Sequence, residues 1–159
     1  MGTIKLTIDG TEVEAREGQS VLDAALEAGI YIPHLCSHPD LTPQGGCKLC
    51  VVEIDGESAQ PVTSCTTTVR EGMTVVTRSE GLNRLRRMSM ELMLAGHPGD
   101  CTSCRSYLNC ELQAMMQYLS VSHARMRDVH RTATRLCADN PLIDREMERC
   151  IQCGRCVRV

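Results

Sequence analysis

The sequence predicts an α+β fold in which a β-grasp domain is followed by a small helical domain. Three observations predict it. Polar and apolar residues alternate near the N-terminus, apolar residues recur at helical spacing after residue 80, and 11 cysteines fall in separated groups. The periodicity changes near Ser79, so we expect domains at residues 1–78 and 79–136, with residues 137–159 beginning an incomplete third domain.

The first predicted elements are a β-hairpin and a helix. Thr3–Asp9 alternates with period two, a turn follows at Gly10-Thr11, and Glu12–Arg16 alternates again. Ser20-Val-Leu-Asp23 is a capping box, which predicts a helix that ends near Gly29.

A cysteine-bearing loop and two more strands complete this domain. Cys36–Cys50 carries prolines and a Gly45-Gly46 pair, which is typical of an ordered loop. Lys48–Asp55 and Met73–Arg78 predict strands. Two strands, a helix, a loop and further strands follow the order of a β-grasp domain. Glycines beside Cys47 would let backbone amides approach a bound group, so we expect the pair to tolerate no larger side chain.

Two amphipathic helices are predicted beyond Ser79. The first ends before Gly96 and Pro98, and the second follows the next cysteine group. Apolar residues at helical spacing, methionines included, are expected to face the core. They are Leu82, Leu85, Met88 and Leu92 in the first helix, and Leu112, Met115, Met116 and Leu119 in the second.

Composition narrows the function classes. The formal net charge is −3, which argues against a nucleic-acid surface. With three Tyr and neither Phe nor Trp, the chain needs cohesion beyond an aromatic core, from disulfides or from metal. Residues Met1–Gly10 lack a signal peptide pattern and no apolar run reaches membrane-spanning length, so we expect a cytoplasmic protein. Reduced thiols in that compartment favour metal ligands.

The first cysteine group has four members spaced for a binuclear iron–sulfur cluster. Such a cluster needs four thiolates, two on each iron, and the long gaps of this group bring distant cysteines to a Cys-x2-Cys pair. Zinc remains an alternative, although it prefers two Cys-x2-Cys knuckles and this group has one. The members are Cys36, Cys47, Cys50 and Cys65.

The second group places a histidine ahead of three cysteines between the two predicted helices. Taken alone it also fits a Cys3His zinc site, but the spacing His-x3-Cys-x2-Cys-x5-Cys behind the first group favours a second cluster. A neutral imidazole in place of a thiolate should raise the potential of that cluster. We expect the other ring nitrogen to donate a hydrogen bond. The members are His97, Cys101, Cys104 and Cys110.

The third group is Cys150-x2-Cys153-x2-Cys156, close to residue 159. It matches the start of the bacterial ferredoxin pattern, whose fourth cysteine would fall just past Val159. We therefore expect a fragment of a longer chain. Cys137 belongs to no group, and we expect it to be a buried structural thiol.

In this order the groups resemble a known module. Tyr31-Ile-Pro-His-Leu-Cys36, Gly46-Cys-Lys-Leu-Cys50 and Cys150-Ile-Gln-Cys-Gly-Arg-Cys156 are similar to signatures of an N-terminal iron–sulfur region. That region is shared by the large iron–sulfur subunit of NADH dehydrogenase (complex I), [FeFe]-hydrogenase large subunits, NAD-linked hydrogenase diaphorase subunits and NAD-linked formate dehydrogenases.

The resemblance implies a set of cofactors. It implies a [2Fe–2S] cluster on the first group and a [4Fe–4S] cluster on His97 and its three cysteines. It also implies a further [4Fe–4S] cluster begun by Cys150, Cys153 and Cys156 and completed beyond residue 159, in a ferredoxin-like segment.

The sequence contains no recognisable catalytic motif, so we expect an electron-transfer module rather than an enzyme in its own right. Our first hypothesis is that the chain belongs to a soluble, cytoplasmic oxidoreductase complex. A variant of this hypothesis is a complex that bifurcates electrons. In either complex the chain relays electrons between a flavin/NAD(P)-binding subunit and a hydrogenase, formate dehydrogenase or similar catalytic subunit. The alternatives are a free-standing ferredoxin, disfavoured by the weak net charge, and a zinc-stabilised scaffold.

Overall fold

A five-stranded mixed sheet forms the first part of the chain in the computed structural model, which describes residues 2–55, 60–125 and 147–159. The sheet order is β2-β1-β5-β3-β4, with β1 parallel to β5 and the other neighbours antiparallel. This is the predicted β-grasp arrangement, and the α+β class is confirmed. The strands are β1 (Thr3–Ile8), β2 (Thr11–Arg16), β3 (Val51–Ile54), β4 (Val62–Thr63) and β5 (Thr74–Val76).

The predicted hairpin is confirmed. Ile8 pairs with Thr11, and the intervening Asp9 and Gly10 both adopt positive φ angles, of 49° and 81°. An Asp-Gly turn of this kind matches the right-handed twist of the strands that it joins. The Asp9 carboxylate accepts hydrogen bonds from the amide and hydroxyl of Thr77, which ties the turn to the end of β5.

Helix α1 (Val21–Glu27) begins as the capping box predicts. The Ser20 hydroxyl oxygen accepts a hydrogen bond from the Asp23 amide at 3.1 Å, and Gly29 follows the helix with φ of 76°. Buried residues of α1 and of the strands form the first core. This core includes Leu6, Ile8, Val21, Leu22, Ile32, Val52 and Val75.

Helix α2 (Glu80–Leu94) forms where predicted, but most of the predicted core face is exposed. Leu82 is buried, whereas Leu85, Met88 and Leu92 are 38%, 47% and 57% exposed. The buried face instead follows a four-residue spacing through Leu82, Arg86 and Met90. The prediction was wrong because Arg86 occupies the middle of the buried face. A search for apolar residues at helical spacing passes over an arginine and therefore selected the wrong face of the helix.

Helix α3 (Glu111–Leu119) buries Leu112, Met115 and Leu119, as predicted, while Met116 is half-buried. With α2 it forms a second core that includes residues from before and after residue 79. Its buried members are Leu35, Cys36, Cys47, Leu49, Met90, Leu112, Met115, Leu119 and Val121. Among the described residues, no helix combines the length and the apolar character needed to cross a bilayer.

Candidate metal centres

The four cysteines of the first group are all buried and unpaired by disulfides. Cys36 follows an extended segment after α1, and Cys47 and Cys50 precede β3. Cys65 lies in a 3₁₀ turn, Ser64–Thr66, that continues β4. Because Val51 pairs with Thr63, the start of β3 lies beside the end of β4. This pairing brings the sulfurs of Cys50 and Cys65 to 3.4 Å from each other.

The four sulfurs form two close pairs rather than one Cys-x2-Cys unit. Cys36 interacts with Cys47, and Cys50 interacts with Cys65. A hydrogen bond with the Cys47 thiol lowers the pKa of Cys36 to about 5, while the pKa of Cys47 rises for the same reason. The bond with Cys65 lowers the pKa of Cys50 to about 6 and raises that of Cys65. Within each pair, hydrogen bonding therefore favours ionisation of one thiol, and the thiolate is the form that binds metal.

Two pairs suit a binuclear cluster, whose irons each take two thiolates. A mononuclear zinc site would need four ligands around one ion. The donor set and its division into pairs therefore fit a [2Fe–2S] cluster.

The two glycines before Cys47 differ in whether their backbone conformation and surroundings would accept a side chain. Gly45 has φ of 64°, and an added Cβ would lie 3.0 Å from Thr63 Oγ1. An added Cβ at Gly46 would meet nothing closer than the flexible Gln44 side chain at 3.8 Å. Both residues contribute backbone amides to the site: Gly46 donates towards Cys36 and Gly45 towards Cys65. Steric intolerance is thus expected at Gly45 and not at Gly46, which corrects the sequence expectation.

The second group lines one cavity of about 1050 Å³ at the end of α2. All four members border it, and each is half-buried. His97 Nδ1 lies 2.9 Å from the Pro98 carbonyl oxygen, so it donates to that oxygen and leaves Nε2 available as a ligand. Three cysteines and one imidazole around a single cavity fit a four-iron cluster, which takes one ligand on each iron.

The second group's loop is built from short turns. The amides of Cys104 and Tyr107 donate to carbonyls three residues earlier, at 3.1 and 3.0 Å. The Asp100 carboxylate accepts from the Thr102 hydroxyl and the Ser103 amide. These bonds to Ser103 and Thr102 lower the pKa of Asp100. The loop therefore closes mainly on itself, without pairing to a strand.

The third group contacts the loops of both other groups. Cys150 and Cys153 are half-buried, and Cys156 is exposed. Arg149 donates to the Asp100 carbonyl and to Ser103 Oγ in the second loop, at 3.1 and 2.9 Å.

Two further arginines extend from the third group to the first. Arg155 donates to the Ser37 carbonyl at 3.1 Å. Arg158 donates to the carbonyls of Thr42, at 2.7 Å, and of Cys36. The third group thus lies between the other two. Cys137 falls outside the described residues.

Sequence reasoning missed Arg86. It is 2% exposed and donates hydrogen bonds to the carbonyls of Leu49 and Val51, on either side of Cys50. A signal was present in the sequence, because Arg86 stands four residues after Leu82 and four before Met90. An arginine flanked at four-residue spacing by apolar residues lies on the same face of a helix as they do, which indicates that its side chain makes a buried polar contact.

Two family descriptions match the chain. Residues 2–80 match a "2Fe-2S iron-sulfur cluster binding domain", and residues 86–125 match an "NADH-ubiquinone oxidoreductase-G iron-sulfur binding region". The first range contains all four cysteines of the first group, and the second contains His97 and its three cysteines. Together with the cysteine pairs and the cavity, these matches establish a [2Fe–2S] and a [4Fe–4S] cluster as cofactors.

Relatives match along nearly the whole chain. The NADPH-Fe(3+) oxidoreductase subunit alpha of Geobacter sulfurreducens is 40% identical over 98% of this chain and 18% of its own length. An NADH-quinone oxidoreductase subunit of Rickettsia typhi is 39% identical over 98% of this chain and 23% of its own length. The chain therefore spans less than a quarter of these relatives.

A solved structure has the same fold. A chain in the crystal structure of an NAD+-reducing [NiFe]-hydrogenase in the H2-reduced state superposes with a TM-score of 0.87 at 36% identity. The match covers 99% of this chain and 65% of that chain.

Proposed function

Because the chain belongs to the family of N-terminal iron–sulfur modules of NAD(P)H-linked oxidoreductases, we propose that it relays electrons within a multisubunit oxidoreductase complex. Bound clusters supply one-electron transfer, and the protein's part is to hold them, shield them from water and keep them close together. The observation that carries the proposal is the arrangement of the three ligand groups. The second core contains Cys36 and Cys47, and Cys110 and Cys153 pack against it.

The proposal assigns ligands by residue. Cys36 and Cys47 hold one iron of the [2Fe–2S] cluster, and Cys50 and Cys65 hold the other, as their pairing supports. Imidazole Nε2 of His97 and the thiolates of Cys101, Cys104 and Cys110 hold the [4Fe–4S] cluster. Cys150, Cys153 and Cys156 supply three ligands of a further [4Fe–4S] cluster that needs residues beyond 159.

The relatives support a complex rather than a free carrier, because their names describe them as subunits. We propose that one partner binds flavin and NAD(P), and that another carries a catalytic site such as that of a hydrogenase or formate dehydrogenase. We place this complex in the cytoplasm, where thiols stay reduced and can bind metal.

The test is to isolate the chain anaerobically from its native cells with its partners attached. We expect a brown complex that contains iron and acid-labile sulfide and a flavin-bearing subunit, and whose clusters are reduced by NADH or NADPH. A brown chain that elutes alone would favour the diffusing ferredoxin instead. A colourless chain that contains zinc would contradict both hypotheses.

A further inference from the structure

Arg86 is a buried cation that hydrogen-bonds the [2Fe–2S] ligand loop. Its Nε donates to the Leu49 carbonyl at 3.0 Å, and its Nη2 donates to the Val51 carbonyl at 2.7 Å. These two residues flank Cys50. Helix α2 thus holds the backbone on both sides of Cys50 through one side chain.

Among the described residues, Arg86 has no carboxylate partner to supply the counter-charge that burial normally requires. A third, longer hydrogen bond from Arg86, at 3.5 Å, goes to the neutral Asn83. Glu91 on the same helix pairs with Arg125 instead, at 2.8 Å. A buried charge is costly unless an opposite charge offsets it.

Asp9 is a described carboxylate that attracts Arg86, but it is already engaged elsewhere. Both of its oxygens accept hydrogen bonds from Thr77. Burial lowers the pKa of Arg86, yet an arginine stays charged at any physiological pH. Tyr118 and then Cys50 each raise the pKa of Arg86 by charge attraction, and the Cys50 contribution is the second link between this cation and the ligand set.

We propose that Arg86 is the built-in counter-charge of the [2Fe–2S] cluster and holds its reduction potential up. The proposal rests on the ligand assignment made above. Four thiolates give the bound cluster a net negative charge, which grows by one electron on reduction. A fixed positive charge beside Cys50 favours the more negative, reduced state. No proton is required, because Arg86 is charged in both states.

The experiment is a dithionite titration, with mediators, of the cluster-loaded chain, followed by the EPR signal of the reduced [2Fe–2S] cluster. Arg86→Gln removes the charge and Arg86→Lys keeps it. Arg84→Gln is the matched control, since Arg84 lies on the same helix but is exposed. Iron content is measured in every variant.

We expect Arg86→Gln to lower the midpoint potential by at least about 59 mV, a tenfold change in the redox equilibrium of a one-electron couple. Arg86→Lys and Arg84→Gln should stay near the parent value. If the Arg86→Gln protein loses the cluster and the Arg86→Lys protein keeps it, the cluster requires a positive charge at this position, as proposed.

Three results would overturn the proposal. They are an unchanged potential in a loaded Arg86→Gln protein, an equal shift in Arg86→Lys, and loss of the cluster from both variants. Absence of a [2Fe–2S] signal from the parent chain would instead show that the ligand assignment has failed.

Discussion

The first and second ligand groups have the same number of ligands and are built in opposite ways. The first is buried beside the β3–β4 pair, with the sulfurs of Cys50 and Cys65 already in contact. The Cys50 carbonyl accepts bonds from both the amide and the hydroxyl of the buried Ser64, at 3.0 and 2.8 Å. The second lies in a loop of short turns around an open cavity, with every ligand half-buried.

This difference shows that, within one chain, the protein can order the ligands of one site while the metal orders those of another. Where hydrogen bonds place the ligands in advance, less of the metal's binding energy is needed to order the chain. Where the loop bonds mainly to itself, the metal supplies more of that ordering. We therefore expect the first site to keep its ligands in place better than the second when metal is absent.

The largest expected effect is complete loss of one cluster from a single substitution. Cys50→Ser should abolish the [2Fe–2S] signal and leave the His-ligated cluster, because the two ligand sets share no residue. Cys104→Ser should do the reverse, and each variant is the control for the other. Low-temperature EPR of the reduced proteins measures both. If either substitution removed both signals, the two sites would be one cooperative unit.

A smaller effect is expected from exchanging the histidine ligand. His97→Cys should keep a four-iron cluster but lower its midpoint potential, because a thiolate adds the negative charge that neutral imidazole lacks. His97→Ala should lose iron. His123 lines the same cavity and bonds to the Ser122 hydroxyl, so His123→Ala is the control and should change neither quantity. Redox titration measures the midpoint potential. A His97→Cys protein with the parent's potential would mean that His97 is not a ligand of the cluster.

The smallest expected effect separates the two glycines of the first site. Gly45→Ala should cost about 1–2 kcal/mol of unfolding free energy, because a side chain disfavours its left-handed conformation. Crowding against Thr63 adds to this cost. Gly46→Ala is the control and should leave stability within about 0.5 kcal/mol. Urea unfolding followed by circular dichroism measures both. Equal losses at the two positions would mean that the glycines serve the cluster and not the backbone.

Local signals predicted the parts of this fold that depend on neighbouring residues. The Asp9-Gly10 turn and the Ser20 cap form from residues within four positions, so the sequence predicts β1, β2 and α1 closely. Strand β4 was not predicted, because two residues carry no periodicity and Val62–Thr63 is defined by its partner β3.

The misjudged features depend on tertiary contacts. The buried face of α2 is selected by the carbonyls that Arg86 meets, 35 and 37 residues away, and the spacing of Arg86 alone does not reveal which carbonyls these are. The choice between Gly45 and Gly46 depends on Thr63, across the β3–β4 connection. The proposed ligands were predicted from their spacing, whereas the pairing of Cys36 with Cys47 emerged only in three dimensions.

The arginines of the third group have a consequence for the order of assembly. Arg155 bonds to Ser37 across 118 residues of sequence, and Arg158 bonds to Cys36 across 122. A ribosome makes the N-terminal region first, and domains generally fold in that order. All four cysteines of the first group are therefore synthesised well before these arginines. Until they are made, the loop after Cys36 lacks the hydrogen bonds that these two arginines donate to it, so this part of the first site is completed last.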